Sequence, residues 1–152
     1  YSEASLILSQ AKNAGLNVIF FGCDGLDGIL GMDNFDKSLA EGVMLLTPFT
    51  PTAKDERTQN FVKNFTAKYD KAYLNQFGAD AYDAIYIIKA AMEKANVTAD
   101  MDASAICDAL KVAMTQITFS GVTGTDITWG ADGEPVKKPI AVKIVNGEYV
   151  VM

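Results

Sequence analysis

Residues 119–150 read FSGVTGTDITWGADGEPVKKPIAVKIVNGEYV. Three turn signals interrupt this stretch, Gly121 to Gly124, Asp132-Gly133 and Asn146-Gly147, and the β-branched runs between them carry no helical period. Asn146-Gly147 separates Ile140-Ala-Val-Lys-Ile-Val from Glu148-Tyr-Val-Val. Both turn residues tolerate positive φ, so the spacing predicts a tight type I′ hairpin. A helix-rich chain that finishes in strands has the order in which a two-lobed α/β chain would end, its last strands returning to a lobe begun much earlier.

Working outward, Ser2 to Ala14 places apolar residues at 4, 7, 8, 11 and 14, the spacing of a helix, with Gly15 as its stop. Asn17-Val-Ile-Phe-Phe-Gly is a short apolar run that predicts a parallel strand buried on both faces. CDGLDGILGMDNFDKS then reads as a loop leading into a short helix. Gly42-Val-Met-Leu-Leu-Thr predicts a second buried strand, stopped by Pro48 and Pro51. Phe61, Phe65, Tyr69 and Tyr73 recur every fourth residue and predict one aromatic stripe on a helix, packed in the core. A second helix is expected from about Ala79 to Asn96, with Ala81, Ala84, Ile85, Ile88, Ala91, Met92 and Ala95 as its core face. A third is expected over 104–114, capped by Asp102 or Ser104.

The chain has 152 residues, 49% apolar and 21% charged, a globular composition of one ordinary domain's length. Its net charge of −6, from 13 basic and 19 acidic residues, disfavours nucleic acid or an anionic bilayer as partner. There is no histidine, and Cys23 and Cys107 are too far apart for a metal or disulfide framework. Histidine-based catalysis is thereby set aside, and no cofactor is expected. No run approaches the roughly 20 apolar residues of a membrane span. The chain opens at Tyr1 in mid-pattern, so we expect a piece of a longer protein whose N-terminal portion, with any export signal, lies upstream.

Four aspartates, at 24, 27, 33 and 36, raise a calcium loop, but their spacing lacks the alternate ligands, central glycine and closing glutamate of an EF-hand. Glycines at 22, 25, 28 and 31 fit neither a phosphate loop nor a dinucleotide fingerprint. Asp24 follows directly on a buried strand, where open α/β sheets place ligand contacts. A carboxylate there either pairs with a substrate ammonium or forms an Asx turn or N-cap. Cys23 beside it lacks a base to activate it as a nucleophile, and a small buried thiol is expected.

SEASLILSQAKNAGLNVIFFGCDG, AEGVMLLTPF, FGADAYDAIYIIKAAMEKA and the closing FSGVTGTDITWGADGEPVKKPIAVKIVNGEYV occur in an order and spacing that resembles the type I periplasmic solute-binding proteins, above all the leucine/isoleucine/valine-binding proteins of ABC importers. The resemblance covers essentially the whole chain as the family's C-terminal part. It implies flavodoxin-like lobes, parallel sheets flanked by helices, joined by crossing segments and closing on an amino acid. Residues 1–48 and 137–152 would belong to the second lobe, and 49–136 would cross over to complete the first. Asp24 matches an acidic family position that binds the ligand's α-ammonium, often a glutamate. Phe77 and Tyr1 fall near aromatic pocket positions, and Cys23 joins the expected ligand-binding set.

The implied protein is not an enzyme. It works in the periplasm or outside the cell, in some relatives lipid-anchored, and has an ABC permease and its own missing N-terminal part, or a second copy, as partners. A same-fold sensor or binder of an amide, urea or aromatic acid is the alternative, and a small flavodoxin-like enzyme using Asp24 as acid or base is the more distant one.

Overall fold

The computed structural model describes residues 1–152, with four helices, α1 (Ser2–Asn13), α2 (Glu56–Thr66), α3 (Gln76–Lys94) and α4 (Ala103–Met114). Six strands accompany them, β1 (Phe21–Gly22), β2 (Met44–Thr47), β3 (Thr128–Trp129), β4 (Pro135–Val136), β5 (Ile140–Val145) and β6 (Glu148–Val151). The backbone divides into two compact units, residues 1–78 with 139–152, and residues 79–138. The expected crossing follows residue 48, whereas the first unit runs on to Gly78.

In the first unit the strands form one mixed sheet in the order β1-β2-β5-β6. Only β1 and β2 run parallel, with Phe21 opposite Met44; β5 lies antiparallel to β2, Lys143 opposite Met44, and β6 antiparallel to β5. Asn146 (φ 53°) and Gly147 (φ 76°) both take left-handed conformations, so the last two strands close in the tight hairpin their sequence predicts. The core joins Leu8 of α1 to Ile29, Leu30, Ala40, Val43, Leu45, Val142 and Ile144.

The first strand departs from expectation. Asn17–Phe21 was read as buried on both faces, but Val18, Ile19 and Phe21 are exposed and β1 is only two residues long. Its physical position explains this: it is the edge of the sheet, bonded on one side alone.

The aromatic stripe is also cut short. Asp55 caps α2 by accepting the Thr58 N–H at 2.9 Å, and the helix ends at Thr66. Phe61 is buried and packs edge-on against Phe49, centroids 5.6 Å apart. Tyr69 and Tyr73 lie beyond the helix and are exposed, because Asp70 starts a separate 3-10 turn over Lys71–Tyr73.

In the second unit Asp102 caps α4, accepting the Ala105 N–H at 2.8 Å. The buried side of α3 is Ala79, Asp83 and Ala91, whereas Ala81, Ala84, Ile85, Ile88 and Met92, expected as core, are exposed. The helical period was legible there, but both sides of α3 are rich in apolar residues, and the buried side is the one that carries an aspartate. Asp83, 2% exposed, accepts the N–H groups of Val122 (3.0 Å) and Thr123 (2.8 Å) and the Thr123 hydroxyl (2.7 Å). That carboxylate straps the Val-Thr-Gly loop to the helix, and Gly121 is glycine because a Cβ there would collide with it.

Candidate ligand-binding site

β1 feeds the chain through Cys23 into a single 3-10 turn over Asp24–Leu26. Asp24 is exposed, and its carboxylate makes no hydrogen bond or ion pair, so neither the Asx turn nor the N-cap is formed. What is held is its backbone. The Asp24 carbonyl accepts the Asp27 N–H at 2.9 Å and the Gln76 side-chain amide, Nε2, at 3.0 Å. Cys23, expected to be buried, is exposed, since it precedes the turn at the end of an edge strand.

The other aspartates of this stretch go separate ways. Asp36 accepts the Ser38 N–H at 3.0 Å and caps a 3-10 turn, and the Ser38 side chain, with that N–H second, holds its carboxyl below the usual range. Asp33 is exposed, and no group of three or more acidic or sulfur side chains is placed to hold a metal. Asp27 turns inward instead. It is 5% exposed, and its Oδ2 accepts the backbone N–H of Gln76 at 2.9 Å. A carboxylate at the first residue of α3 satisfies one of the amides that a helix start leaves unpaired and complements the helix dipole. Asn75 serves a second, its Oδ1 accepting the Gly78 N–H at 3.2 Å.

Thr47, at the end of β2, completes a buried cluster. Its hydroxyl has one proton and three acceptors in reach, the Phe49 carbonyl at 2.9 Å, Asp27 Oδ2 at 3.2 Å and Gln76 Oε1 at 3.2 Å. Thr47 and Gln76 are 3% and 1% exposed, so these bonds form in a place with little water to replace them.

On the other side of Asp27, Gly28 has φ 111°, and a Cβ there would stand 2.7 Å from the Tyr1 hydroxyl oxygen. Only glycine fits both constraints. The Gly28 N–H donates to the Tyr149 hydroxyl at 3.0 Å. Burial pushes the Tyr149 phenol up to about 12; its bond from Gly28 opposes the shift, and the Asp27 charge adds to it. Tyr1 is shifted upward too, by burial first and Asp27 second.

Three of the four residues singled out in the sequence therefore stand around one buried centre. Tyr1 borders Asp27 and Gly28, Asp24 is held by Gln76, and Phe77, 44% exposed, follows Gln76 in the first turn of α3. Cys23 adjoins Asp24 in the chain; its carbonyl accepts the Leu26 N–H at 3.1 Å, and its thiol makes no hydrogen bond. The centre itself, Asp27, Thr47 and Gln76, escaped sequence reading; the one signal was a second aspartate three residues after Asp24. An open cleft of about 380 Å³ is lined by Gly28 and Tyr149 together with Lys37, Thr52 and Lys71, and neither Asp24 nor Phe77 borders it.

The sequence profile of the family described as periplasmic binding protein matches residues 2–148. No curated protein matches the chain. Among solved structures it is similar to a leucine-binding protein, LivK, from Thermotoga maritima, with 25% identity and a TM-score of 0.80 over 100% of this chain and 41% of that one. It is similar also to LivJ of Streptococcus pneumoniae in complex with isoleucine, with 24% identity and a TM-score of 0.76 over 99% of this chain and 42% of that one. An extracellular ligand-binding receptor from Rhodopseudomonas palustris superposes with a TM-score of 0.82 at 19% identity, over 99% of this chain and 45% of the receptor. The chain thus spans less than half the length of each of these relatives. With a profile matched from α1 to β6 and a backbone that follows these type I folds throughout, this chain belongs to the periplasmic binding protein family.

Proposed function

We propose that this chain is the C-terminal part of an extracytoplasmic solute-binding protein that captures a branched-chain amino acid and delivers it to an ABC permease. The observation that carries the reading is Asp24: an exposed carboxylate with no partner of its own, on a backbone held from below. Such a group is ready to pair with an ammonium, and Phe77 and Tyr1 offer apolar surface for a side chain. The names of the leucine- and isoleucine-binding neighbours support the choice of ligand class. Binding requires no bond to be made or broken, so the protein acts as a receptor and not as an enzyme.

In this reading the protein works outside the cytoplasmic membrane, in the periplasm or at the cell surface. No helix of the chain is long and apolar enough to cross a membrane, so the permease supplies the passage. Residues 1–48 and 137–152 lie in the second lobe and the middle of the chain in the first.

The test is Asp24→Asn in the full-length protein, titrated calorimetrically with L-leucine and the other protein amino acids. Losing a charged hydrogen-bond partner weakens binding by roughly 10- to 100-fold. An amide, urea or other ligand without an amine is indifferent to the change. Tight binding of such a ligand, with no response to any amino acid, replaces this reading by the alternative one.

A further inference from the structure

We infer that Gln76, backed by Asp27 and Thr47, is a positioning residue for the ligand: it fixes the Asp24 backbone and so sets where the Asp24 carboxylate meets the ammonium. The inference rests on the amino acid reading above and names a residue that reading does not need.

Gln76 is 1% exposed, and its backbone N–H and side-chain Nε2 both donate hydrogen bonds. Its Nε2 donates across 52 residues of chain to the Asp24 carbonyl, its Oε1 faces the Thr47 hydroxyl, and its N–H donates to Asp27 Oδ2. Burying a glutamine among apolar neighbours costs free energy that a leucine or methionine of similar size avoids. A buried network of this kind restricts its members to few arrangements.

The arrangement matters because the Asp24 side chain has nothing else to hold it. Its carboxylate projects from a short turn, and of its own groups only the backbone is tied down, by Asp27 within the turn and by Gln76 from outside it. Gln76 is also the residue before Phe77. One side chain therefore ties the expected ammonium partner to the first turn of the helix that carries the expected aromatic wall. A ligand gripped at both points needs that separation held to within a fraction of an ångström.

The experiment is a double-mutant cycle in the full-length protein, with L-leucine as the first probe and the remaining protein amino acids as a panel. Gln76→Met keeps the size and removes the bond to Asp24; Thr47→Val removes the hydroxyl that faces Gln76. Each is made alone and on an Asp24→Asn background, and dissociation constants are measured below the melting temperature of each variant. We expect Gln76→Met to weaken binding about tenfold and Thr47→Val about threefold. Neither adds to the loss already caused by Asp24→Asn, because both act through Asp24.

A merely structural role lowers the melting temperature and leaves the dissociation constant of the folded protein unchanged. That result in either folded variant, or losses that simply add to that of Asp24→Asn, overturns the inference. If Asp24→Asn weakens amino acid binding while Gln76→Met and Thr47→Val do not, this inference alone fails. If no amino acid binds, or Asp24→Asn leaves binding unaltered, the amino acid reading fails and takes this one with it.

Discussion

Tyr149 holds its hydroxyl on the amide of Gly28, and burial raises its phenol to about 12 from an ordinary value of 10.0. A group whose folded value is raised contributes stability that is complete below about pH 10 and lost as the pH climbs toward about 12. The loss is about 2 to 3 kcal/mol for a shift of this size. An alkaline denaturation series followed by tyrosinate absorbance therefore has a component that Tyr149→Phe removes, at the expense of an unpaired Gly28 amide. At this scale, what could be read beforehand was what adjoins in sequence. Asp24 stood out because it follows an apolar strand directly. Asp27 did not, because its partner Gln76 lies 49 residues away and a single sequence does not show which distant amide a buried carboxylate will meet.

Among the elements, α3 is the one most dependent on a single side chain. Asp83 takes three hydrogen bonds from the loop at Val122 and Thr123, and both ends of that arrangement are buried. Asp83→Ala strands two backbone amides and one hydroxyl, which costs about 2 to 4 kcal/mol. Hydrogen exchange at Val122 and Thr123 should quicken in step with that loss, while the amides of β5 and β6 remain as protected as before. The hairpin of β5 and β6 was legible down to its turn, since Asn-Gly states its backbone geometry locally. The strand at Phe21 was misread, because an apolar run looks the same whether or not a neighbour covers it. For the same reason the buried side of α3 could not be told from its exposed one: the period is local, the covering surface is not.

For the molecule as a whole, apolar surface is left bare in several places. Val18, Ile19 and Phe21 line the sheet's edge in one unit; Ile85, Ile88 and Met92 line α3 in the other, beside Tyr82 and Tyr86, whose ring centroids are 4.9 Å apart. Contiguous surface of this kind drives association. Expressed alone, the 152-residue chain is expected to self-associate in sedimentation velocity experiments and to bind hydrophobic dyes, whereas a full-length protein of its relatives' size should do neither. A compact monomer with little dye binding contradicts this. The pairing of β2 with β5 has a consequence of another kind. Met44 lies opposite Lys143, about a hundred residues further along, and Leu45 opposite Val142. During synthesis β2 leaves the ribosome long before its partner exists, and closing so long a loop slows folding. Until the last strands arrive, one side of β2 remains an open template for pairing with another chain.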